Sequence, residues 1–301
     1  MRKIIKIALC AVALFINLAA WAQNNESGEK FAFKPYANIG LGDAVSIESS
    51  LPGVKKSSSS NDFGVDFGWT FWHRQKHSLE ANIGIAYSIS SVKLGVENFD
   101  YSYFEMAESE IDGDSYIRHY ELSYLNQKTT LGRVGVPIYL SYAYKCNKWL
   151  KIHADLGVSL GFKISSELSN LSGEGYSYGV YPQYDNLKIE DSYINDFGPK
   201  TYLKSMCMEP TANSFSCSIL TGIGAEFKIY GPLAVDLGLR YNKGLTNLYD
   251  SAFEQIGTIG YFDAPVKYIV KEGQQIESLT DYLKTSKLSN MSLKISLLYR
   301  F

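Results

Sequence analysis

Eight stretches of the chain alternate apolar and polar residues with a period of two, the signature of β-strands with one greasy and one polar face. They run Phe31 to Leu41, Asp62 to Trp72, Ser78 to Ser90, Thr130 to Tyr144, Leu150 to Ile164, Ser214 to Ile229, Leu233 to Tyr241 and Ser292 to Phe301. The last is the cleanest. Leu293, Ile295, Leu297, Tyr299 and Phe301 hold every odd position, and Ser292, Lys294, Ser296 and Arg300 alternate with them, Leu298 being the exception. A long amphipathic strand with nothing after it suits a closed barrel, where the last strand pairs with the first, here Phe31 to Leu41.

Charge decides which face points where. At 20% charged residues, about fifty apolar-face positions should carry about ten charges. They carry none. The opposite face carries Lys34, Arg133, Lys151, Lys163, Lys228, Arg240, Lys294 and Arg300 against Asp62, Asp66, Glu80, Asp155, Glu226 and Asp236. A soluble sandwich would bury its apolar side and wet its charges. Here the apolar side faces lipid and the charges fill a lumen, together with Tyr139 and His153.

The links between strands agree. Arg74-Gln75-Lys76, Cys146-Asn147-Lys148 and Gly231-Pro232 are tight, whereas 42–61, 91–129, 165–213 and 242–291 read as long loops. Alternating short and long links are the plan of outer-membrane barrels, short in the periplasm and long outside. The expected fold is all-β: an eight-stranded antiparallel up-and-down transmembrane β-barrel with long extracellular loops and short periplasmic turns. Pro35 and Pro137 fall inside strands and are expected to mark bulges.

Composition narrows the class. A mean hydropathy of −0.12 is too polar for a helical membrane protein, while 14% aromatics, with 23 Tyr, suit interfacial girdles. The charge of −2 offers no basic face for nucleic acid. Arg2, Lys3 and Lys6 precede an apolar run from Ile7 to Ala20, and Ala20-Trp21-Ala22 is a small-x-small cleavage site. Residues 1–22 therefore read as a signal peptide, 23–30 as a short periplasmic leader and 31–301 as the barrel. Cleavage shifts the charge to about −5. The mature chain keeps Cys146, Cys207 and Cys217, so at least one thiol is free; Cys207 in the third loop and Cys217 near the outer end of its strand could pair, against which parity turns Cys217 to the lipid. No spacing of Cys or His supports a zinc site.

The signal peptide, the eight-strand pattern, Val136-Pro137-Ile138-Tyr139-Leu140 and the Tyr299-Arg300-Phe301 end resemble the PorT-like outer-membrane β-barrel family, small Gram-negative barrels similar in architecture to OmpA and OmpX. The resemblance implies an outer-membrane location. Some members assist protein secretion; most have no assigned role. Resemblance to outer-membrane barrels in general implies that Tyr299 and Phe301 form a signal read by the barrel-assembly machinery.

Several constellations invite chemistry. Ser141, His153 and Asp155 are inward on adjacent strands, the residue types of a nucleophile relay. If Tyr144 pairs with Leu150, Ser141 faces His153. An eight-stranded interior is just wide enough for side chains, so the expected role is a hydrogen-bonded lumen network, with no catalytic residue and no cofactor. His73 and His77 flank a hairpin turn among cations, poor terms for a metal. Glu105, Glu108, Glu110, Asp112 and Asp114 form an acidic run without calcium-loop spacing. Tyr176, Tyr178, Tyr181, Tyr184, Tyr193 and Tyr202 either recognise a ligand or pack loops together. Gly222-Ile223-Gly224 reads as small inward residues. Trp69 suits the lipid girdle, with Trp72 and Trp149 capping the lumen floor. The expected partners are membrane lipid, the assembly machinery, and an envelope protein or extracellular ligand held by the loops of a monomer. The functions that fit are a surface interaction protein, an accessory of a secretion or uptake complex, a small-solute pore, or an outer-membrane hydrolase or acyltransferase.

Overall fold

The computed structural model describes residues 30–49, 53–108, 113–195, 197–203, 210–249 and 279–301. Among them the strands are β1 (Phe31–Gly40), β2 (Val45–Ser49), β3 (Lys55–Arg74), β4 (His77–Glu108), β5 (Ser115–Lys145), β6 (Leu150–Tyr181), β7 (Leu187–Ile189), β8 (Gly198–Leu203), β9 (Phe215–Tyr230), β10 (Leu233–Asn247) and β11 (Leu283–Arg300). Eight of them form a closed antiparallel ring in the order β1-β3-β4-β5-β6-β9-β10-β11, with β11 returning to β1. The three short strands lie alongside: β2 on β11, and β7 and β8 on β6. Closure leaves the ring no unpaired edge, as spanning lipid requires.

The closing seam is the one expected. Phe33 lies opposite Tyr299 and Asn38 opposite Lys294. Phe31 N donates to Phe301 O at 3.0 Å, Phe301 N to Phe31 O at 2.9 Å, and the two rings stack at 6.1 Å. The three tight turns are also where expected, Gln75 and Gly231 each supplying a positive φ.

The prolines do not make bulges. Pro35 stays in register with Val65, and Pro137 with Ser159; pairing lapses only on the other flank, towards β11 and β4, without a shift. Each missing N–H affects one ladder, so a single gap suffices. The bulge instead falls at Phe71. Thr70 pairs with Glu80 but Trp72 with Leu79, so parity changes there and Trp72, expected inward, lies opposite a lipid-facing residue. The β5–β6 register also differs by two from the expected one: Tyr144 faces Ile152, and Ser141 faces Asp155. Asn147 lengthens that turn, its Oδ1 accepting from Trp149 N and Leu150 N at 2.9 Å each.

The larger departure concerns the loops. Residues 91–129 are mostly strand: β4 and β5 pair from His77↔Tyr144 out to Glu108↔Ser115, and β6 continues to Tyr181. The strands stay regular but exchange faces. In the lower half the exposed residues are apolar, among them Ile83, Ile85, Ile138, Leu140, Leu156, Ile223, Leu237 and Ile295. Above Ile89 on β4 the apolar residues move to even positions, and Val92, Leu94 and Val96 are buried. They pack with Val45, Ile47, Leu125, Leu131, Leu168, Leu171, Leu248, Leu279 and Leu283 into one core. The outer surface at this height is polar, with Lys93 exposed and Lys55 paired to Glu97 at 2.7 Å. A strand must turn its apolar side to lipid inside the bilayer and to its own interior in water. The chain thus builds two solvent regimes into one continuous sheet.

Candidate functional site

The lower lumen is filled by ion pairs in two layers. In the floor layer Arg300 is the clamp, donating from Nη1 to Glu80 at 2.9 Å, and from Nη2 and Nε to Glu226 at 2.6 and 3.2 Å. Lys34 closes on Glu80 from the opposite side and reaches Asn82 Oδ1 at 2.9 Å; Lys151 reaches Glu226 at 3.1 Å. Charge-assisted bonds of this kind are the strong ones, and forked arginine contacts fix geometry as well.

The middle layer centres on Asp66, Asp155 and Asp236. Asp66 is fully buried and accepts from Tyr139 Oη at 2.6 Å, with Arg240 Nη2 at 3.5 Å and Lys294 Nζ at 3.9 Å. Arg240 lies 5.1 Å from the ring centres of both Tyr36 and Tyr139, a cation held between two aromatic faces. Lys294 also approaches Asp236 at 3.5 Å. His153 bridges two carboxylates, Nδ1 to Asp155 at 3.0 Å and Nε2 to Asp236 at 2.7 Å. Ser141 donates to Asp155.

This geometry does not assemble a Ser/His/Asp relay. Both imidazole nitrogens face carboxylates and the serine hydroxyl is turned to Asp155, so Ser141 and His153 share no bond through which a proton could pass. The two-residue register difference is the cause.

Inward glycines open the space these side chains occupy. A Cβ on Gly224 would sit 2.6 Å from His153 Nε2, one on Gly68 2.5 Å from Glu80 Oε1, and one on Gly84 would strike the Asp66 carboxylate. Higher up, Arg133 bonds Ser216 at 2.6 Å and Asp62 takes Asn38 Nδ2 at 2.6 Å. Both residues border a chamber of about 60 Å³ between the network and the outer core. Lys163, expected inside, is instead exposed at the top of the band, bonded to Ala212 O at 2.6 Å. The strand shift between Gly132 and Arg133 lies beside it. Lys228 is exposed at the periplasmic floor, where it lines an open cavity.

The remaining candidates separate. His77 leaves the turn to bond Tyr142 Oη at 2.6 Å, while His73 lines the floor cavity, so the two do not converge. No cluster of metal-binding side chains occurs among the described residues. Of the acidic run, Asp114 accepts from Tyr184, and the side chains of the other four lie outside the described residues, as does Cys207. Trp69 is on the lipid face beside Phe71, at 5.9 Å. Trp149 borders the floor cavity, with its ring stacked on the outward Phe227 at 6.2 Å.

The tyrosines of the third outer segment take both roles, Tyr202 lying outside the described side chains. Tyr181 is buried with Tyr116 and Phe197, and Arg118 lies over the latter two rings. Tyr178 stacks on His119 at 4.8 Å and carries Lys188 on its face at 3.9 Å. A hydrogen bond from Lys188 to Glu190 raises the lysine above its ordinary value. Tyr176 donates to Glu190 O at 2.7 Å, whereas Tyr184, Leu187, Ile194 and above all Tyr193, 99% exposed, stand in water.

A closed ring with a lipid-facing apolar band, aromatics at its lower rim and a charge-filled lumen defines a small outer-membrane β-barrel protein. The chain belongs to the family described as outer membrane protein beta-barrel domain, which matches residues 21–250. Solved structures similar to it include Ail, the attachment invasion locus protein of Yersinia pestis (11% identity, 91% of this chain and 99% of that one, TM-score 0.30) and OprG from Pseudomonas aeruginosa (11%, 91% and 96%, TM-score 0.41). The translocator domain of the autotransporter NalP from Neisseria meningitidis also matches (9%, 98% of each chain, TM-score 0.24). No curated protein sequence matches the chain.

Proposed function

We propose that this protein is a non-conducting, non-enzymatic surface interaction protein whose outer β-extension contacts a partner or ligand outside the cell. The observation that carries this reading is the double seal, an ion-paired lumen below and an apolar core above. A pore needs a continuous wet path, and side chains that fill the lumen at two heights interrupt it. The extension presents exposed Tyr184, Leu187, Tyr193 and Ile194. Stiff amphipathic rings of this kind give contact area at low entropic cost. Residues 1–22 act as a signal peptide cleaved after Ala22, and N-terminal sequencing of the mature protein should begin at Gln23. Membership of the PorT-like group belongs to the same proposal.

The test is conductance in planar bilayers together with surface binding. The protein should give no stable channel, and Tyr193→Ala/Tyr184→Ala should reduce adhesion of expressing cells to whatever surface the wild type binds. Stable channels of uniform step size would defeat the sealed-lumen reading. Adhesion unchanged by the double substitution would defeat the assignment to this edge.

A further inference from the structure

The periplasmic floor carries a feature that neither the barrel nor its outer extension requires. A cavity of about 560 Å³ opens there, in the size range of built ligand sites. Lys30, Lys76, Lys145, Lys148, Lys151 and Lys228 line it, with Arg300 at its base. Among the described residues, the sole carboxylate on this lining is Glu226, already clamped by Arg300 and Lys151. Three of the lysines form a row across neighbouring strands. Lys145 N donates to Lys76 O at 2.7 Å, and Lys145 lies directly opposite Lys151. Like charges directly opposite are destabilising, so the row favours a bound anion.

We propose that this floor cavity binds an acidic peptide segment of a periplasmic protein. Orientation argues against lipid headgroups. Lys145 and Lys151 lie at inward positions of their strands and Lys30 shares the inward level of Thr70, whereas outward positions at this height hold Phe31, Trp69, Tyr142 and Phe227. Lys30, Lys145 and Lys151 therefore gather over the barrel axis, away from the bilayer. Spacing argues for a peptide. Lysines on adjacent strands stand roughly 5 Å apart, close to the separation of side chains three or four apart on a helix. A cluster of Asp and Glu matches that interval. Exposed lysine stems make the site tolerant of sequence and dependent on charge, and Trp72 and Trp149 border its rim.

The experiment uses the mature barrel in uncharged micelles and reads tryptophan fluorescence and calorimetric heat on titration with hexaglutamate. Hexaglutamine, an anionic oligogalacturonate and vesicles containing anionic phospholipid are the comparison probes. Hexaglutamate should bind, weakening about tenfold or more as salt rises from about 50 to about 300 mM, and hexaglutamine should not. Lys76→Gln/Lys145→Gln/Lys148→Gln should weaken binding at least about tenfold, with heat-modifiable gel migration retained to show that the barrel is folded. The control Lys93→Gln/Lys128→Gln, on the outer zone, should leave affinity unchanged. Equal binding by the triple variant, equal loss in the control, or tighter binding of the oligogalacturonate or the vesicles would each overturn the proposal.

Discussion

Replacing Asp66 by Asn tests whether the lumen network holds the barrel together or merely fills it. Asp66 is fully buried, and among the described residues it is the only carboxylate within 4.0 Å of Arg240, itself 2% exposed. The substitution keeps shape and leaves Tyr139 an acceptor, but it strands a guanidinium whose nearest remaining support is two aromatic rings, with Asp155 farther off. Breaking a buried pair from one side costs about 3–5 kcal/mol because an uncompensated charge stays behind. Lys294 loses a contact at 3.9 Å but keeps Asp236 at 3.5 Å, so its share is smaller. The expected destabilisation is therefore about 3–4 kcal/mol, between two and three decades in the unfolding equilibrium. Asp66→Asn/Arg240→Met should recover more than half of that, since a neutral pair of similar volume leaves no orphan. Reversible urea unfolding in lipid vesicles, followed by tryptophan fluorescence and gel mobility, measures both. A single-variant cost below about 1 kcal/mol, or a double variant as unstable as the sum of its parts, would refute the argument.

Three further outcomes follow. Leu125→Ala, at a site 1% exposed in the outer core, should cost about 2–5 kcal/mol there, seen as faster protease cleavage of the extension while the barrel keeps its heat-modifiable migration. Gly224→Val should drive a methyl group into His153 and break its bond to Asp236, lowering the unfolding midpoint, whereas Gly95→Ala, whose Cβ meets only the flexible end of Asn126 and the stem of Lys55, should be mild. Deleting Phe301 removes two backbone hydrogen bonds and one ring stack at the seam. If Tyr299 and Phe301 also form the assembly signal, insertion in cells should fall far more than refolding of the purified chain into vesicles; an equal fall in both would assign Phe301 a packing role alone.

The lower barrel could be read from sequence because lipid on one side and ion pairs on the other impose the sharpest two-residue contrast a strand can show. Lys34, Glu80, Asp155, Asp236, Lys294 and Arg300 are where parity puts them. Register was harder to read. Nothing in the alternation distinguishes Tyr144 facing Leu150 from Tyr144 facing Ile152, since a shift of two keeps every face. The difference came from the hydrogen bonds of Asn147, and it separated Ser141 from His153. The outer extension was missed for another reason: its apolar residues change face without a break. Val92, Leu94 and Val96 carry the signal in plain sight, but in a strand of single phase such a reversal marks the strand's end. The basic floor also went unseen, because its lysines are contributed by turns and strand ends far apart in sequence.

The reversal above Ile89 also fixes how deep the protein rides. An ordinary amphipathic barrel with a taller apolar band can rise or sink by a residue at modest cost. Here a shift in one direction would drag Lys93 into hydrocarbon, and a shift in the other would expose Ile89 to water. The β4–β5 ladder keeps one register from lipid into solvent, from His77↔Tyr144 to Phe104↔Ile117, so neither zone can move without the other. The barrel is thus a vertical ruler that sets its own depth, and it holds Tyr193 and its neighbours at a set height above the cell.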